Sequence, residues 1–122
     1  MTQQDVARLL DAFARARRSV DRIAWDDKTW WSYPAEITAF FQLLSQAPWT
    51  DTQYQPARDL QRLDDAAFLA AATPDELRAV LTAAMRAERF SEGAWKTMFD
   101  RKQLEPVMTR LAGLFGLEHN EH

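Results

Sequence analysis

Glu88 stands where an amphipathic helix should carry an apolar side chain, and Arg86, Arg89 and Trp95 lie close to it in the chain. At about 100° per residue, Leu77, Val80, Leu81, Ala84 and Met85 share one helical face, and Glu88 projects onto that face. Arg86 points the opposite way and Arg89 sits at the margin. A carboxylate placed there must be paired, hydrogen-bonded, protonated or hydrated, because desolvating it bare costs several kcal/mol. The donors within reach are an arginine, the Trp95 indole, and the free amides at Ser91, Glu92 and Gly93 that would open a following helix.

Two chemistries suit this cluster. As a binding surface, Arg86, Glu88, Arg89 and Trp95, supported by Trp49, Asp51 and Tyr54, would receive a protein or a small anionic ligand. As an enzyme site, Glu88 would act as general acid or base in a pocket shaped by Trp49, Tyr54 and Trp95, with Glu92 as a conceivable second acid. Against both stands an architectural role, favoured on general grounds, in which Glu88 locks the turn between two helices. Ser91 has no histidine base near it in sequence and is better read as a helix cap than as a nucleophile.

The elements that position these residues read as helices. Thr73-Pro74-Asp75-Glu76 combines an N-cap, a proline at the first helical position and a returning carboxylate, and the helix it opens runs to about Arg89. Ser91 is expected to cap the next helix, from Glu92 to about Lys102, with Trp95, Met98 and Phe99 inward. A last helix spans Leu104 to Leu114 and ends at Gly116. Upstream, Thr2 caps a helix to about Ile23 with Val6, Leu9, Leu10, Phe13, Ala16, Val20 and Ile23 on one side, and Pro34 opens another carrying Ile37, Phe40, Phe41 and Leu44. Between them, Trp25, Trp30, Trp31 and Tyr33 form a long aromatic connection, read as a lid over the core rather than a stacking platform. Residues 49–56 read as a loop with local Asp51 or Thr50 turns, followed by a helical turn at Leu60 and Leu63 and a short helix begun by Asp64 or Asp65. The expectation is an all-α single domain over residues 1–116, an orthogonal bundle of about six helices, with residues 117–122 as a disordered tail.

The runs LTAAMRAERFSEGAWKTMF, FFQLLSQAPWTDTQYQP and LEPVMTRLAGL together resemble a family of small, mostly bacterial proteins of unknown function. Its pattern is Trp-x-Asp-x-x-Tyr followed by Leu-Thr-x-x-x-Arg-x-Glu-Arg-Phe-x-x-Gly-x-Trp. Here these are Trp49, Asp51 and Tyr54, then Leu81, Thr82, Arg86, Glu88, Arg89, Phe90, Gly93 and Trp95. Ser91 and Ala94 stand where the family often has Cys and His, which argues against Cys/His chemistry. The resemblance implies no activity.

Composition bounds the remaining options. A chain of 122 residues with 47% hydrophobic and 27% charged residues suits one folded domain. Its net charge of −3 argues against nucleic acid, and Arg15, Arg17, Arg18 and Arg22 are interleaved with Asp11 and Asp21, which cancels their field. With no cysteine, three glycines and no phosphate-loop, dinucleotide or HExxH pattern, no cofactor is expected. His119 and His122 read as solvated tail residues rather than metal ligands. The apolar runs are too short for a membrane span, no secretory leader is evident, and a cytoplasmic location is expected.

Overall fold

The computed structural model describes residues 1–26 and 30–118, leaving undescribed the side chains of Asp26 and Trp30; His119 and His122 lie outside these residues. Seven α-helices and one small hairpin follow in order: α1 (Gln3–Arg18), β1 (Ala24–Asp26), β2 (Trp30–Ser32), α2 (Ala35–Leu44), α3 (Pro56–Gln61), α4 (Ala66–Ala71), α5 (Pro74–Phe90), α6 (Ala94–Asp100) and α7 (Glu105–Leu114). Short 3-10 turns follow α1 at Val20–Arg22 and α3 at Arg62–Asp64. The all-α expectation holds, with the count raised because the helical turn near Leu60 becomes a helix of its own.

Local signals set most boundaries. Thr2 and Thr73 each complete a capping box, with Asp5 and Glu76 returning to the cap amide. Asp65 accepts from the Phe68 amide to start α4. α1 stops at Arg18, earlier than its periodicity predicts, because Ser19 turns its hydroxyl back onto the Ala16 carbonyl and the chain tightens into the 3-10 turn. Pro34 is the cap of α2 rather than its first residue. At the far end, Gly116 adopts φ 68° while Leu117 donates to Ala112 and Gly116 to Gly113, closing α7 in a Schellman motif. Leu117 therefore packs against the core instead of starting a loose tail.

The core gathers the inner faces of α1, α2, α5, α6 and α7. Phe13 stacks on Phe99 at 5.9 Å, Phe40 meets Phe41 edge-on at 5.0 Å, and Phe41 lies flat on Trp95 at 4.1 Å between ring centroids. α5 is central and is buried on more than the face its apolar pattern selects, since Ala79, Ala83 and Ala87 are covered as well. A polar stripe of Arg78, Thr82 and Arg86, spaced four apart, receives the loop between α2 and α3. Arg78 donates to the Thr50 carbonyl, and Thr82 accepts from the Asp51 amide while donating to Arg78 O or Trp49 O. This stitching drives Trp49 into the core, where it is 1% exposed.

One buried charge has no counterpart in the sequence reading. Asp59 in α3 is fully buried, accepts from the Gln55 amide, and is held between the guanidinium groups of Arg58 and Arg62. Replacing it removes the acceptor of the Gln55 amide at the start of α3 and leaves two arginines unpaired at the buried end of their contact. Asp59→Ala is expected to cost about 2 to 3 kcal/mol in urea unfolding followed by circular dichroism. Asp75→Ala, which loses only the exposed contact to Arg78, should barely move the transition.

Candidate functional site

The N-cap position of α6 is Gly93, not Ser91, and the carboxylate of Glu88 accepts the amides at this helix start. Ser91 instead ends α5, its amide donating to Ala87. Gly93 takes φ 85°, a backbone state that favours glycine. Trp31 from the hairpin lies directly over it, so that a Cβ built on Gly93 would sit 2.6 Å from the indole nitrogen.

The free amides of this short helix can be accounted for one by one. Gly93 N–H donates to Glu88 Oε2 at 2.8 Å and Trp95 N–H to Oε1 at 3.0 Å. The Ala94 amide turns back to the Ser91 carbonyl, and the Lys96 amide donates to the Tyr33 oxygen at 3.3 Å. Tyr33 completes the set by donating its hydroxyl to Glu88 Oε1 at 2.8 Å. The carboxylate thus neutralises the positive end of α6 and fastens the hairpin exit to it. Among the described residues no arginine joins this arrangement, and the Trp95 indole donates elsewhere, to the Ala84 and Met85 carbonyls.

Burial first, then the hydrogen bond to Glu88 and its negative charge, push the Tyr33 phenol well above its ordinary value of 10.0. Tyr33 is the residue the sequence reading missed as a site member. Its only signal was its position just before Pro34, at the end of the aromatic connection.

The sequence-derived cluster divides between two sides of α5. Residues 86 and 88 are about 200° apart on a helix, so their side chains diverge. On one side, Glu88, Arg89 and Trp95 border a shallow concavity of about 370 Å³ with Phe41 and Gln42. On the other, Arg86 and Tyr54 border a larger groove of about 490 Å³ between α3, the end of α5 and the start of α6. Arg86 lies over the Tyr54 ring at 5.4 Å. Trp49 reaches neither concavity, and Asp51 serves the loop, accepting from the Gln53 amide. The acid–base pocket formed by Glu88 with Trp49, Tyr54 and Trp95 is therefore not assembled.

The lid expectation holds for part of the aromatic connection. Tyr33 packs on Trp95 at 5.3 Å and Trp31 sits on the Gly93 turn, where Lys96 lies over its ring. Trp25 meets Trp31 edge-on and stays 52% exposed. The connection is a two-stranded antiparallel hairpin, with Trp25 opposite Trp31. Among the described residues, no three His, Asp or Glu side chains gather as a metal site. No described helix is long and apolar enough to cross a membrane.

Two outcomes follow from the capping arrangement. Glu88→Ala is expected to destabilise the fold by about 2 to 4 kcal/mol, from loss of the cap and of the bond to Tyr33, as read by thermal unfolding. A raised phenol contributes stability that is complete below pH 10 and is lost as the pH climbs above it, because the unfolded chain then releases the proton first. Alkaline spectrophotometric titration should accordingly show a late-ionising phenol, and Tyr33→Phe should remove that late step.

No curated protein and no solved structure matches the chain. Residues 1–116, which span the bundle, the hairpin and both concavities, match a family described as of unknown function, and the chain belongs to that family, DUF6508.

Proposed function

We propose that this protein is a small binding module whose recognition surface is the groove between α3, α5 and α6. One observation carries this reading. Arg86 stands in the wall of a largely apolar groove with no hydrogen-bond or carboxylate partner for its guanidinium among the described residues; its Nε lacks an acceptor, as does that of Arg78. Arg78, two turns earlier on the same stripe, has both terminal nitrogens engaged by Asp75 and Thr50. A buried or half-buried guanidinium is ordinarily bonded, so Arg86 favours an anionic group brought by a ligand. The groove's volume lies in the range of small-molecule and peptide sites, and its floor of Ala83, Ala87 and Met98 suits an apolar body.

Glu88 belongs to the framework of this site, since its capped turn sets the position of α6, which forms one wall. Both its oxygens are taken by donors of its own chain. That supports a positioning role over acid–base chemistry.

Anilinonaphthalene sulfonate, which joins an aromatic body to an anion, is the direct probe. Its fluorescence should rise on binding to the folded protein, and Arg86→Ala should weaken binding by roughly tenfold or more, as loss of a charge-assisted bond implies. The melting temperature should stay unchanged. Binding that is indifferent to Arg86 would remove the basis of this reading.

A further inference from the structure

The groove is bordered by two large apolar side chains that its own volume does not enclose. Phe90, the last residue of α5, is 78% exposed, and Leu60, on α3 across the groove, is 37% exposed. A small molecule filling the groove would leave the Phe90 ring in water. An occupant that covers Phe90 and Leu60 together must span from α3 to the end of α5, which calls for a second polypeptide surface.

The lining also restricts the shape of that surface. The segments bordering the groove are helices, turns and loops with no strand among them, so no strand edge is offered to an extended peptide. Ala83 and Ala87 on α5 and Ala57 on α3 all line the groove, and such small side chains leave room for larger apolar ones from a docking surface. The charges at the rim are uneven. Asp64 is satisfied by Gln103 and faces Arg101, and Glu92 lies at the turn end, so a run of acids would meet repulsion there while a single acid could reach Arg86.

We infer that the groove receives an amphipathic helix from a partner protein, which offers one Asp or Glu to Arg86 and apolar side chains to the alanine floor and to Phe90. This inference rests on the binding-module reading and adds the class of its partner. Such a helix uses anchors at i, i+3, i+4 and i+7, with the acid among them.

Selection of a random peptide library displayed on phage against the immobilised full chain tests it. Enriched sequences should carry one acid flanked by Leu, Phe or Trp at helical spacing, and a synthetic winner should gain helical circular dichroism on binding. Phe90→Ser and Arg86→Gln, both at exposed or half-exposed positions, should each weaken that peptide by at least tenfold without lowering the melting temperature. Selection against Arg86→Glu should favour Lys or Arg in place of the acid. Absence of enrichment, winners that are proline-rich or alternate as strands, or winners indifferent to Phe90 would overturn the inference. So would sedimentation showing a dimer that Phe90→Ser dissolves, which would give the face to a second copy. If the sulfonate probe still required Arg86 in any of those cases, the groove would remain a binding site for small anions; loss of that requirement as well would remove the binding module itself.

Discussion

One carboxylate joins two successive helices to a hairpin that is far away in sequence. From the last turn of α5, Glu88 supplies the cap of α6 and accepts the hydroxyl of Tyr33 at the hairpin exit. Placed on an apolar helix face, the group is costly unless it is surrounded by donors, and a helix start is a concentrated source of them. The cost of burying the acid and the cost of leaving the α6 amides bare offset each other. Trp95 and Phe41 then stack beneath the turn, which ties the polar arrangement to the aromatic core.

The consequence for function is a matter of helix geometry. Because Glu88 is occupied in holding the junction, the chemistry left open at α5 lies on its other side. There Arg78, Thr82 and Arg86 form one stripe. Its first two members bind the loop that follows α2, and the third emerges beyond the loop into the groove. The same stripe that fastens the loop thus presents a cation with little left to bind on its own chain. Tyr54, the last aromatic of that loop, lies against the Arg86 guanidinium, which is 5.4 Å from the ring centroid.

Small residues and small helices share the remaining work. α3 is only six residues long and depends on Asp59, which accepts the Gln55 amide at its start and clamps two arginines. Without that clamp the wall opposite α6 has little intrinsic stability, since so short a helix is marginal in water. The groove therefore relies on two carboxylates that accept amides at helix starts, Asp59 for one wall and Glu88 for the other.

What the sequence determined by itself was the helical class and most starts and stops. Capping boxes at Thr2 and Thr73, the Asp65 cap and the Gly116 terminator act within a few residues, and such local hydrogen bonds are readable from residue type and spacing. It also showed that Glu88 must find partners. Which partners it found, amides and a tyrosine rather than arginines, was decided by the tertiary structure, because Tyr33 is brought to Glu88 by the docking of the hairpin and not by any spacing. The placement of Trp49 in the core, the burial of Asp59 and the parting of Arg86 from Glu88 have the same origin. Each depends on which neighbour covers which side of α5, and a period of 3.6 residues tells which side chains share a face but not what that face meets.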